Sequence, residues 1–136
     1  MKSLLLVAGL CLSGVLHAAE LQVRVETVDA SGGQLLLAVF ASEDAWKEHK
    51  TPVAQAHIAA QPGVQQQRFE LPPGRYAVSV IHDSNSNSTL DTNFIGMPTE
   101  QYGYSNNPPL RMRMATFEEC AFILPAAGLQ QQVTLR

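Results

Sequence analysis

The stretch "HDSNSNSTLD", from His82 to Asp91, is rich in oxygen-bearing side chains at alternate positions. A calcium loop places oxygen ligands at positions 1, 3, 5, 7, 9 and 12, with the backbone carbonyl used at position 7. Oxygen-only donors of this kind suit a hard cation, because they turn inward together when the backbone curls. The spacing therefore predicts a structural calcium site with the ligands Asp83, Asn85, Asn87, Thr89 and Asp91.

Two positions of this loop depart from the calcium pattern. Ser88 stands where glycine normally makes the sharp turn, and Phe94 stands where a bidentate glutamate normally completes the shell. The missing ligand would then come from water or from Glu100 on the same loop. So few carboxylates predict weak binding, with a Kd of about 10⁻⁴–10⁻³ M. The same residue types also form Asx turns without any metal, so the sequence leaves both interpretations open.

The other reactive side chains form no familiar catalytic set. The histidines after the N-terminal segment, His49, His57 and His82, lack the spacing of zinc ligands. There is no G-x-S-x-G nucleophile motif. Cys120 lies in an apolar strand-like pattern, which indicates a buried packing role. The sequence therefore predicts a protein that is not an enzyme.

A second unusual stretch, "NFIGMPTEQYGYSNN", belongs to a long loop predicted over residues 83–109. Loops of this length in compact domains usually have a function. Its aromatic residues Phe94, Tyr102 and Tyr104, with His82 beside them, could form a surface for a ligand or partner. The alternative is that these rings pack the loop onto the domain.

The elements that must hold these loops are strands. Segments such as "LQVRVETV" and "RYAVSVIHD" alternate apolar and polar residues or are apolar on both faces. About seven such segments, separated by turn signals, predict an all-β, two-sheet sandwich. The one helical signal is "SEDAWKEHK", where Ser42 would cap a short helix near 43–49 and Trp46 would anchor it.

The first residues predict export. Lys2 precedes an apolar run from Leu4 to Leu16, which is followed by small residues and is too short to span a membrane. We expect a signal peptide over 1–18, cleaved after Ala18 or Ala19, and a single sandwich domain over 19–136. The protein would then be periplasmic or secreted, with no membrane span after cleavage.

The net charge and the cysteine content limit the classes of partner that the protein could have. The formal charge is −3, and loss of Lys2 makes it more negative, which argues against nucleic acid. Cys11 leaves with the signal peptide, so Cys120 has no partner for an internal disulfide. An unidentified protein or small ligand is the remaining class of partner, and a bound ion would help stabilise a small exported domain.

Residues 74–107 carry a family resemblance. The run "PGRYAVSVIHDSNSNSTLDTNFIGMPTEQYGYSNN", followed by "TFEECAFIL", resembles an uncharacterised family of exported bacterial proteins, domain of unknown function family 2141. The resemblance implies a signal peptide and an immunoglobulin-like or prealbumin-like sandwich, but no known activity. This chain has Ser88 and Gln101 where that family usually has glycine. The loop is also similar to calcium-holding loops in the B-repeats of surface adhesins.

The prealbumin-like fold that the resemblance implies also occurs in two classes of enzyme. The hydroxyisourate hydrolases end in Tyr-Arg-Gly-Ser, whereas this chain ends in "VTLR". The intradiol dioxygenases bind iron through two tyrosines and two histidines, for which Tyr102, Tyr104, His82 and His57 would be needed without any supporting motif. We therefore predict a non-catalytic exported module with a binding or envelope-associated role. The alternative is a small-ligand carrier or enzyme that uses the 83–109 loop as its site.

Overall fold

The computed structural model describes residues 18–88, 99–109, 111 and 113–136. Within these ranges the chain forms eight strands and two short helices. In chain order they are β1 (Ala19–Val28), β2 (Gln34–Phe40), α1 (Glu43–Glu48), β3 (Ala54–Ala59), β4 (Gly63–Leu71), β5 (Gly74–Asp83), β6 (Tyr102–Tyr104), α2 (Phe117–Cys120), β7 (Phe122–Leu124) and β8 (Leu129–Thr134).

The strands form two sheets, which confirms the predicted sandwich. One sheet has the order β4-β1-β8, and the other has the order β3-β2-β5-β6 with β7 also paired to β5. All described pairings are antiparallel except that of β1 with β8, which is parallel. The core between the sheets is built from the inward residues of the central strands, among them Leu21, Val23, Val25, Leu37, Val78 and Val80, each no more than 1% exposed.

The outer face of the first sheet is polar, as the alternation in β1 predicts. Arg68 on β4 bonds Glu20 on β1 at 2.6 Å, and Gln132 on β8 bonds Glu26 on β1 at 2.5 Å. The glutamine runs of β4 and β8 thus contribute to a solvated face and do not form a low-complexity segment.

Two elements differ from the sequence prediction. The loop predicted over 83–109 contains the short strand β6, and the strand-like pattern around Cys120 begins as helix α2. The helix forms because Thr116 caps it: the Thr116 hydroxyl accepts from the Glu119 amide, and the Glu119 carboxylate accepts from the Thr116 amide. This reciprocal capping box satisfies donors that a strand would have paired across the sheet.

The YGYSNN segment, residues 102–107, joins the two sheets along one side. The backbone of Tyr102 pairs with that of Arg136, beyond the end of β8. A Cβ on Gly103 would lie 2.7 Å from Val133 and 2.9 Å from the Thr134 carbonyl, so only glycine allows this approach. Asn107 donates to Gln132 and accepts from the Thr134 amide, which ties β8 to the same segment.

Helix α1 lies where the sequence predicts it. The Ser42 hydroxyl accepts from the Ala45 amide, and Trp46 is buried against Phe40 and Phe117. In the part of the chain that is described, neither helix is long and apolar enough to cross a bilayer.

The turn before β2 gives a first prediction. A Cβ on Gly33 would lie 2.2 Å from the Asp83 carbonyl oxygen, whereas a Cβ on Gly32 would have open space around it. Both glycines have positive φ, so both alanine variants pay a backbone cost of about 1–2 kcal/mol. We expect Gly33→Ala to lower the free energy of unfolding by about 2 kcal/mol more than Gly32→Ala. The reason is that the new Cβ on residue 33 would force the backbone of Asp83 or of the turn itself to move. Urea denaturation of the two variants measures the difference, and equal losses would contradict the close approach.

Candidate functional site

Asp83 is the buried anchor of the loop that follows β5. Its side chain is fully enclosed, at 0% exposure. Oδ1 accepts the Asn87 amide at 3.0 Å, and Oδ2 accepts the Ser88 amide at 2.7 Å and the Gln34 side chain at 3.1 Å. The backbone therefore turns around this carboxylate before it leaves the described region.

The turn uses backbone conformations that favour glycine. Ser86 has φ 57° and Ser88 has φ 64°, both in the left-handed region. Ser88 is the residue that replaces the glycine of a calcium loop, and it adopts positive φ in spite of its side chain. The amide of Ser88 then points at the Asp83 carboxylate, and this bond offsets part of the cost.

The side chain of Glu100 contacts the start of the loop. Its Oε2 accepts both the amide and the hydroxyl of Ser84, at 2.7 and 2.9 Å. Glu100 is thus held next to the residue that follows Asp83. Asn85 accepts the Asn87 amide at 3.3 Å, which is an Asx turn within the loop. Thr89, Asp91 and Phe94 lie outside the described residues.

The described part of the loop has the hydrogen bonds of a polar turn, and the calcium site stays a prediction. Hydrogen bonds from backbone to Asp83 and Asn85 are those of a polar turn. Among the described residues, no group of three or more His, Cys, Asp or Glu side chains converges as a metal site. The described loop holds the carboxylate of Asp83, the Glu100 carboxylate bonds Ser84, and that of Asp29 lies beside His82.

Electrostatics keep the Asp83 carboxylate ionised. Burial raises the pKa of Asp83, but the hydrogen bond from Gln34 and those from the backbone amides of Ser88, Asn87 and Ser86 together lower it below its ordinary value. A charged, hydrogen-bonded carboxylate at the mouth of the loop is the form that a cation would bind.

His82 closes the end of the core between the two sheets. It is 1% exposed and shares the inward face of β5 with Val78 and Val80. Nε2 lies 2.6 Å from the Gly32 carbonyl, and Nδ1 lies 3.1 Å from Oε1 of Gln101. These contacts link β5 to the β1–β2 turn and to the strand β6 region.

His82 lies near Ser31 and Asp29, the residue types of a hydrolase triad. The Ser31 hydroxyl is 3.5 Å from Nε2, and Asp29 Oδ1 is 3.4 Å from Nδ1. However, Nε2 must donate to the Gly32 carbonyl, which can only accept, so it cannot take a proton from Ser31. The Ser31 hydroxyl donates instead to the Asp29 carboxylate. These three residues therefore form a turn network without a nucleophile–base pair.

Gln101 is a site residue that the sequence did not reveal. Its amide nitrogen donates to the Thr27 carbonyl at 2.8 Å, and its Oε1 accepts the Asp29 amide at 2.9 Å while facing His82. It fixes a bulge at Thr27, a β-branched residue with φ 60°. The sequence signal at this position was that Gln101 stands where the resembling family usually has glycine.

The tyrosines lie on the opposite side of their sheet from His82. Tyr102 pairs with Ile81 in the ladder, and His82 is one residue further, so the His82 side chain points the other way. Tyr104 packs on Trp46 with ring centroids 5.5 Å apart, and burial raises its pKa to about 12. A small groove beside the tyrosines is lined by Tyr102, Gly103, Tyr104, Asn107, Pro108, Thr134 and Arg136.

The four residues needed for an iron site of the dioxygenase type are not brought together. His57 lies on β3, three strands away from β6, which is about 14 Å at the usual strand spacing. His82 faces the core, whereas Tyr102 and Tyr104 line the groove. Cys120 is fully buried, and burial raises the pKa of its thiol to about 12, so it packs without acting as a nucleophile.

Comparison with known proteins gives one family. Residues 23–132 match a bacterial family described as "Uncharacterized protein conserved in bacteria (DUF2141)". No curated protein and no solved structure matches the chain. Because the match covers most of the chain, including both sheets and the Asp83 loop, the chain belongs to the DUF2141 family.

Proposed function

We propose that the protein is an exported, non-catalytic β-sandwich module of the periplasm or cell surface, whose loop from Asp83 is completed by a weakly bound structural calcium ion. The observation that carries this proposal is the turn around the Asp83 carboxylate. The amides of Asn87 and Ser88 donate to that carboxylate, so the backbone at the start of the loop turns around Asp83, as it would around a bound cation.

The proposal uses one remaining acceptor position of the Asp83 carboxylate. An ionised carboxylate accepts about four hydrogen bonds or ligand contacts. Three described donors lie within hydrogen-bond distance of the carboxylate oxygens, one at Oδ1 and two at Oδ2, and the Ser86 amide bonds the Asp83 backbone carbonyl. Oδ1 is therefore the atom proposed to bind calcium, with Asn85, Asn87, the Thr89 carbonyl and Asp91 as the other ligands and Glu100 as the candidate for the last position.

A non-catalytic role is supported by the bonding of the polar groups around His82. The two ring nitrogens of His82 face Gly32 and Gln101, and the Ser31 hydroxyl is bonded to Asp29. These groups connect turns and strand ends. We infer that the module acts through binding, with an unidentified protein or small ligand of the envelope as its partner.

Thermal melting tests the calcium proposal. With a Kd of about 1 mM, 10 mM calcium should stabilise the domain 19–136 by about 1.4 kcal/mol, which raises its Tm by about 6 °C relative to EDTA. Asp83→Asn and Asp91→Asn should remove this calcium-dependent rise. A matched carboxylate on helix α1, tested as Asp44→Asn, should keep it.

The controls separate a specific site from general salt effects. Magnesium at the same concentration should raise the Tm less, because it demands a tighter octahedral shell. An unchanged Tm in calcium would overturn the proposal, and the Asp83 loop would then be a turn held by hydrogen bonds alone. A rise that survives both loop substitutions would place the ion elsewhere.

The second candidate function is a small-ligand carrier or enzyme that uses the 83–109 loop. The groove beside Tyr102 is the feature that favours it, since two tyrosines and Arg136 line one opening. Thermal-shift measurements with a panel of small anionic and aromatic metabolites test this function. A stabilising hit that Tyr102→Ala abolishes would support it over the calcium module.

A further inference from the structure

We propose that the mature domain begins at Ala19, with the export machinery cutting the Ala18–Ala19 peptide bond. The inference rests on the export proposed above. The sequence alone offers two bonds, after Ala18 and after Ala19, because both residues are small enough to precede the cut.

The structure distinguishes these two bonds. Ala19 is the first residue of β1, lies opposite Leu71 in the β1–β4 ladder and is only 1% exposed. It belongs to the main hydrophobic core together with Leu21 and Leu71. Ala18 is exposed and lies before the strand. Among the described residues, the packing of β1 into the core therefore begins at Ala19.

A cut after Ala19 would damage the folded domain. It would remove a buried methyl group and the last pair of the β1–β4 ladder. The new charged amino group would lie on Glu20, which is exposed, so the damage is the loss of the Ala19 methyl group and its ladder pair. A cut after Ala18 leaves the ladder complete and places the amino group at the position where the exposed residue was attached.

Two measurements test the start of the mature domain. The full-length chain is expressed with its own N-terminus in a bacterium with an outer membrane, and the periplasmic and secreted protein is analysed by intact mass and N-terminal sequencing. We expect the chain 19–136. A chain that begins at Glu20 would overturn the position of the cut alone, whereas finding only uncut chain would overturn the proposed export itself.

The second measurement does not depend on export. Two chains, 19–136 and 20–136, are made directly by removing a fusion partner without residual residues, and their thermal melting is compared. We expect the chain that lacks Ala19 to melt about 3–5 °C lower. The variant Ala19→Gly within 19–136 separates the two losses, because it keeps the ladder and removes only the methyl group. Equal Tm values for 19–136 and 20–136 would contradict the structural basis of the inference.

Discussion

Replacing Trp46 with alanine is expected to lower the free energy of unfolding by about 4 kcal/mol, the largest effect of any single substitution considered. The side chain is 1% exposed and meets Phe40 edge-on with ring centroids 5.4 Å apart. Its indole N–H donates to the Ala115 carbonyl at 2.8 Å. Removing the ring would leave a cavity between α1, the outer face of the sheet and the segment before α2, and would leave that carbonyl without its donor.

Trp46→Phe is the matched control. Phenylalanine keeps much of the apolar contact with Phe40 and Phe117 but cannot donate to Ala115. We expect it to cost about 1–2 kcal/mol, the usual cost of one unsatisfied buried polar group. Urea denaturation of the wild type and both variants measures the three free energies. A loss below about 1 kcal/mol for Trp46→Ala would show that helix α1 does not depend on this anchor.

The second large effect is expected from Asp83→Ala, which should lower the free energy of unfolding by about 3 kcal/mol. This substitution removes the acceptor of three described donors, the amides of Asn87 and Ser88 and the Gln34 side chain. Hydrogen bonds to a charged acceptor contribute about 1.5–3 kcal/mol each, and water can replace part of this loss at the loop. Denaturation in EDTA measures the effect apart from any bound ion. A loss of less than about 1 kcal/mol would show that the turn does not depend on the carboxylate.

The charge of Asp83 also predicts a dependence on pH. Its pKa lies below the ordinary value of 3.8 because the hydrogen bonds outweigh the opposing effect of burial. The folded state therefore binds the proton less readily than the unfolded chain, and the stabilisation is complete above the unfolded pKa. It is lost as the pH falls through the lower pKa of the folded state.

Asp83→Asn isolates this titration, since it keeps an acceptor oxygen but cannot ionise. Between about pH 5 and pH 2 the stability of the wild type should fall more than that of Asp83→Asn. The other acidic groups, Asp29 among them, titrate in both proteins and cancel in the comparison. Parallel pH profiles for the two proteins would contradict the assigned shift.

The local sequence pattern predicted most of the sandwich, because the alternation of apolar and polar residues in the central strands agrees with the faces that are buried. In β1 the alternation of Leu21, Gln22 and Val23 specifies both the strand and the face that is buried. The Ser42 cap and the acidic first turn of α1 are equally local signals. The same alternation places His82 on the inward face with Val78 and Val80, so its burial could also be inferred from the sequence.

The remaining features depend on contacts between distant residues. Strand β6 has three residues with a glycine in the middle, and it forms because Ser79 and Ile81 pair with its tyrosines. No local pattern predicts such a strand. The contacts of Gln101 with Thr27 and Asp29 likewise join residues that are far apart in the chain. In contrast, the capping box from Thr116 to Glu119 was present in the sequence and identifies helix α2.

The parallel pairing of β1 with β8 has a consequence for how the domain is made. Leu21 lies beside Leu129, so the middle strand of the first sheet acquires its second neighbour only when nearly the whole domain is present. Contacts between such distant residues slow folding, because a long loop must close before they form. During synthesis, β1 therefore keeps one edge unpaired until β8 has been made.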